Sequence, residues 1–151
     1  MKCILTRFVC AKCSNAFTAP EILPGSYGEF LLRSPAGELA YLNGLEDPTY
    51  GEVSDLLATL PQIAILAPGK RAGILQRIYG EVACDPGASG LPFSILAMPH
   101  CPRCNSQEMA SWEPTDPAQV VEIVVPHVTY HRWSALSEDE KTAQLKRASS
   151  P

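Results

Sequence analysis

Apolar positions in this chain come in short runs broken by turn-forming residues, so the elements they predict are short. "KCILTRFV" (2–9) and the stretch after Cys13 read as two strands around a turn. "EFLLRSPAGELAYL" (29–42) holds two partly apolar runs joined by Ser34-Pro35-Ala36-Gly37, the pattern of a hairpin. Val53, Leu56, Leu57 and Leu60 then follow an i, i+3, i+4, i+7 stripe, predicting a helix over 49–59. Asp47 or Thr49 caps it and Pro61 ends it. Residues 70–83 form a second helical pattern with Ile74, Leu75 and Ile78 on one side, against which Gly73 and Gly80 count.

"CDPGASGLP" (84–92) is a loop by composition, and "FSILAM" (93–98) reads as a strand. Residues 107–113 and 119–126 suit a hairpin across the turn-rich "PTDP" (114–117). A final helix is marked by Ser137 with Glu140 three residues on, a capping box, with Lys146 and Arg147 near its last turn. Residues 148–151 are expected to fray.

Composition narrows the class. The chain has 151 residues, 46% of them hydrophobic, enough for one domain with its own core. It contains no run of about 18 apolar residues, so no membrane span is expected. Arg7 interrupts the apolar opening "MKCILTRFVC" and no cleavage pattern follows, which points to the cytoplasm.

The net charge of −4 is unevenly spread. Residues 1–20 carry Lys2, Arg7 and Lys12 and no acid. Residues 21–60 carry Glu21, Glu29, Glu38, Glu46, Asp47, Glu52 and Asp55 against Arg33 alone. A nucleic-acid binder draws its affinity from a basic patch, so this balance favours a basic protein partner instead. Glu38, Glu46, Asp47, Glu52 and Asp55 are the candidate partner-binding residues. Lys2, Arg7, Lys12 and Arg103, grouped near the cysteine pairs, carry the alternative of nucleic-acid binding.

The chemistry lies in the cysteines. Cys10 and Cys13 form one C-x-x-C pair, and Cys101 and Cys104 form another. A reducing compartment disfavours disulfides, and two such turns brought together give four sulfurs in a tetrahedron, a closed and therefore structural metal site. Zinc is the expected ion, with iron as the alternative.

The two pairs resemble the knuckles of a zinc ribbon. Ser14 and Asn105 stand where such knuckles often carry glycine, and asparagine tolerates the left-handed backbone better than serine does. The resemblance implies an α+β fold in a single domain over 1–151. Its ribbon halves are 1–18 and 98–126, with an inserted α/β segment at 19–97 and a C-terminal strand and helix at 127–148. The ends of the insertion must then meet. "CPRCNSQEMASWEPTDP" and "TYHRWSALSEDEK" look like parts of small bacterial zinc-ribbon proteins of unassigned role. In size and acidity the chain is similar to immunity proteins and antitoxins, which implies a toxin as partner.

The same residues admit other arrangements. His127 and His131 could complete a site with Cys101 and Cys104, but their surroundings are β-rich and the spacing exceeds that of a finger. His100 adjoins Cys101, and neighbouring residues reach one ion poorly. A C-x-x-C pair can also cycle between dithiol and disulfide, although neither pair opens a helix within a βαβ pattern.

Cys3 and Cys84 read as small buried hydrophobes, and Trp112 and Trp133 as core or hinge packing residues, with an exposed partner anchor as the alternative. "PHCPRC" lacks the upstream H-x-E of zinc deaminases, and "APGKRAG" is not a phosphate loop. With no G-x-S-x-G and no H-E-x-x-H, an enzyme is not expected; Cys84 with His127 is the one conceivable nucleophile pair.

Overall fold

The computed structural model describes residues 1–150. They form strands β1 (Lys2–Cys10), β2 (Ala16–Ile22), β3 (Glu29–Arg33), β4 (Leu39–Asn43), β5 (Met109–Pro114) and β6 (Val120–Glu122). The helices are α1 (Pro48–Ala58), α2 (Pro61–Ala64), α3 (Pro68–Val82), α4 (His131–Ser134) and α5 (Glu138–Ser149). The fold is mixed α and β, with two antiparallel sheets, and no described helix is long and apolar enough to cross a membrane.

β1 is the axis of the larger sheet. β2 folds back on it from Val9↔Ala16 to Cys3↔Ile22. On its other side β1 pairs with β5 near the cysteine end and with β6 near its start. β5 and β6 therefore do not form the hairpin expected over 107–126. They lie one after the other along the same edge of β1, and residues 115–119 bulge out between them. Leu5 holds both ends of the bulge, donating its N–H to the Gln119 carbonyl (2.9 Å) and accepting from the Thr115 N–H (3.1 Å). The turn-rich composition makes a detour, not a reversal.

β3 and β4 form the expected hairpin, and its Ser34–Glu38 turn is closed by the Ser34 N–H to the Glu38 carbonyl at 3.0 Å. Residues 93–98 are not a strand. Only Ser94 pairs, exchanging backbone hydrogen bonds with Arg33 at 2.9 and 3.1 Å. Pro92 and Pro99, which lack an N–H, bracket the segment, and Phe93 turns into the core.

Asp47 caps α1 by accepting the Thr49 N–H at 2.8 Å. Pro61 stops that helix and opens another turn, α2, because proline suits a first helical position. The two glycines do not prevent α3, and Gly80 has a positive reason to be there. Its Cα passes so close to the Phe93 backbone that a Cβ would run into that carbonyl. α5 runs to Ser149, further than expected, since Leu145 and Ser149 are buried; position 151 lies outside the described residues.

The main core fills the space between the β3–β4 hairpin and the helices. Leu32, Leu42, Val53, Leu57, Tyr79 and Trp133 are among its fully buried members. Trp133 is 1% exposed and locks the C-terminal segment in place. The Lys141 ammonium lies 5.2 Å from its ring centroid and pairs with Glu52 at 2.6 Å.

The two sheets are tied by Arg33, which is 5% exposed. Its guanidinium reaches Glu21 at 2.7 Å and donates to the Pro20 carbonyl at 2.8 Å, both on β2. A buried guanidinium needs such partners, since leaving it unpaired is costly.

Candidate metal centre

Each cysteine pair sits in a tight turn built to the same plan. In the first, the Cys10 N–H donates to the Asn15 carbonyl (2.9 Å) and the Ser14 N–H to the Cys10 carbonyl (3.0 Å). In the second, the Cys101 N–H donates to the Ser106 carbonyl and the Asn105 N–H to the Cys101 carbonyl, both at 2.8 Å. Ser14 (φ 60°) and Asn105 (φ 63°) take the left-handed conformation that follows the second cysteine. They do so without glycine, at the steric cost an L-residue carries there.

The pairing of β1 with β5 draws the turns together. The Ala11 N–H donates to the Glu108 carbonyl at 2.8 Å, joining one turn to the strand that leaves the other. The result is a cluster of Cys10, Cys13, Cys101 and Cys104 with all four sulfurs within 4.8 Å of one another. Cys10 and Cys104 approach to 3.5 Å, as do Cys13 and Cys101, although 88 positions separate the latter. Tetrahedral zinc with Zn–S bonds of about 2.3 Å holds its sulfurs about 3.8 Å apart, so the cluster fits such an ion. All six cysteines are free thiols.

Local donors favour thiolates. Backbone N–H groups of Cys13 and Lys12 hold the Cys10 thiol below its usual range, against the effect of burial. At Cys101 burial pushes the thiol up, but the backbone N–H groups of Cys104 and Arg103 and the Cys13 and Asn15 side chains bring it down to about 6. The Asn15 amide lies 3.8 Å from the Cys101 sulfur. Cys104 differs. The Ser106 N–H favours its thiolate, yet the neighbouring Cys10, burial and the Cys13 sulfur outweigh it and push the thiol up to about 12. Four sulfurs this close cannot all ionise unless a cation compensates them.

The histidines stand apart from the cluster. The His127 ring meets Tyr41 edge-on at 5.0 Å, and the His131 Nδ1 lies 2.8 Å from Asp85. His100 turns its Nδ1 to the Asn105 carbonyl at 3.0 Å, bracing the second knuckle. Cys3 and Cys84 are buried, and burial pushes the Cys84 thiol up to about 12, unsuited to a nucleophile at neutral pH.

The five candidate partner-binding acids divide. Glu38 accepts from the Ser34 hydroxyl (2.8 Å) and the Ser89 N–H (3.2 Å), Asp47 from the Tyr130 hydroxyl (2.7 Å), and Glu52 from Lys141. Glu46 and Asp55 are exposed. Trp112 is not a core residue as expected, being 54% exposed on β5. Sequence reading missed the role of Arg33; a lone base in a long acidic stretch was the available signal for a buried pair.

These features define a mixed α and β chain with four cysteines placed to hold a metal ion. Compared with family models, curated proteins and solved structures, the chain matches none.

Proposed function

We propose that this is a zinc-ribbon protein of the cytoplasm, a protein-binding module whose acidic surface engages a basic partner. The observation that carries the metal part is the convergence of four sulfurs from two equivalent turns. Zinc bound there supplies folding free energy, about 10–16 kcal/mol in apparent terms for sites of this kind, and no open coordination position for catalysis. The acidic surface supports the partner part, since Glu46 and Asp55 are free to meet a basic protein.

In its narrower form, the module is an immunity protein or antitoxin covering a toxin's active site. Mixing the zinc-loaded chain with the products of neighbouring genes tests both forms. A tight, salt-sensitive complex with one of them is expected, and one that silences a toxin carries the narrower form. Failure of all of them to bind contradicts it. Retention of nucleic acid on a filter at low salt would replace the protein partner with the alternative carried by Lys2, Arg7, Lys12 and Arg103.

A further inference from the structure

The protein-binding reading leaves open where the partner sits, and the larger sheet offers a place. One of its faces carries Phe17, Phe8 and Trp112 side by side across β2, β1 and β5. Phe8 and Phe17 stack at 5.6 Å, while Trp112 stays largely open to solvent. β3 and residues 95–98 form the opposite wall without closing on this face. Between them lies a cavity of about 430 Å³ among Ile4, Phe8, Phe30, Ile95, Met98 and Trp112. That volume has room for a few side chains.

Its charge is uneven. Glu21, Glu29 and Glu113 line it against a single cation, Arg33, which Glu21 already pairs. Glu29 accepts the Tyr41 hydroxyl, and neither it nor Glu113 has an ion-pair partner among the described residues. Trp112 pairs with Phe8 on the cavity face, so the next residue, Glu113, turns its side chain to the other face, across from Arg7, and Glu29 is the carboxylate left to the cavity. An apolar cavity with such a carboxylate selects an apolar group next to a positive charge.

The third observation is topological. β5 is the edge of its sheet, with β1 on its inner side only. An extended segment added along that edge gains main-chain hydrogen bonds and presents alternate side chains to one face. On β5 that face carries Trp112, a residue type that often anchors interfaces. A second copy of the chain is a poor occupant, because each carries a net charge of −4.

We propose that an extended basic segment of a partner protein adds along β5, seating an apolar side chain beside Trp112 and a lysine or arginine at Glu29. This deepens the protein-binding reading and rests on it. β1 ends in Cys10, and β5 follows Cys104 closely, so a metal in the four-cysteine cluster would hold these two strands of the docking face in register.

The test pans a random phage-displayed peptide library against the full-length, zinc-loaded chain and titrates synthetic versions of the enriched peptides. Expected winners carry a lysine or arginine two positions from an aromatic or aliphatic residue, and salt weakens them. Trp112→Ala and Glu29→Gln should each lower affinity about tenfold or more, with zinc content and circular dichroism unchanged, while Glu138→Lys on α5 should not.

Winners without a basic residue, or indifferent to both groove substitutions, overturn the groove. Loss of binding on Glu46→Lys or Asp55→Lys instead would move the partner to the α1 side, leaving the protein-binding reading intact. Concentration-dependent self-association abolished by Trp112→Ala would make the occupant a second copy and overturn the proposal. A library that yields no binder overturns the groove too. The protein-binding reading then stands or falls separately, on the neighbouring gene products.

Discussion

Ser14 and Asn105 occupy the same place in two turns far apart in sequence, and both hold a left-handed backbone, at φ 60° and 63°. Each follows the second cysteine of its knuckle and donates its N–H back to the first. An L-residue there costs about 1–2 kcal/mol, less for asparagine. Ser14→Gly should therefore stabilise the zinc-loaded chain by about 1 kcal/mol, measured by denaturant unfolding with zinc present. Asn105→Gly should gain less, and Asn105→Val should lose stability.

Gly80 gives a prediction whose sign separates helix propensity from packing. Propensity alone would make Gly80→Ala favourable by about 1 kcal/mol. The Phe93 carbonyl blocks the added methyl, and both partners are backbone, so neither can give cheaply. The expected result is a loss of about 2 kcal/mol or more by thermal or denaturant unfolding. The same substitution at Gly73, which has open space around it, should stabilise.

Arg33 and Glu21 join the sheets and should respond asymmetrically. Glu21→Gln removes the counter-charge and leaves a buried guanidinium with only carbonyl partners, a loss of about 2–3 kcal/mol given Glu21's partial exposure. Changing both residues, as in Glu21→Gln with Arg33→Met, should cost less than the sum of the single changes. A double-mutant cycle measures the coupling.

Asp85 sets an acid limit. Burial raises its carboxyl, but the Arg132 N–H, the Thr129 hydroxyl and the His131 N–H and ring outweigh this and hold it well below the usual carboxylate range. A carboxylate with a depressed folded pKa stabilises the fold above its unfolded value of about 3.9, and that contribution is lost as pH falls through the folded value. Asp85→Asn should lower stability at neutral pH by about 1–3 kcal/mol. It should also flatten the fall in stability below pH of about 4, as followed by urea unfolding across pH.

Much of this was legible in sequence because it depended on local rules. The cap at Asp47, the Ser137 capping box and the β3–β4 turn each rest on residues a few positions apart. The four cysteines were legible for a different reason, since two C-x-x-C pairs of equal spacing point to a shared site wherever the fold places them, and the fold brings them together. What failed was long-range. "PTDP" has turn composition, but Leu5, more than a hundred positions away in sequence, decides that it bulges along β1. Residues 93–98 look like a strand until the Phe93 backbone is seen packed against Gly80, with the Phe93 side chain in the core. Trp112 looks like a core residue until β5 is seen to be an edge with a cavity beside it.

The most direct test of the metal centre is the zinc content of the purified chain together with its thiol count, before and after unfolding and without added reductant. The expected result is one zinc per chain, with six thiols protected in the folded chain, Cys3 and Cys84 by burial and the four of the cluster by zinc, and all six reactive once it is unfolded with the zinc chelated. A metal-free chain with one or two disulfides among Cys10, Cys13, Cys101 and Cys104 would contradict the account.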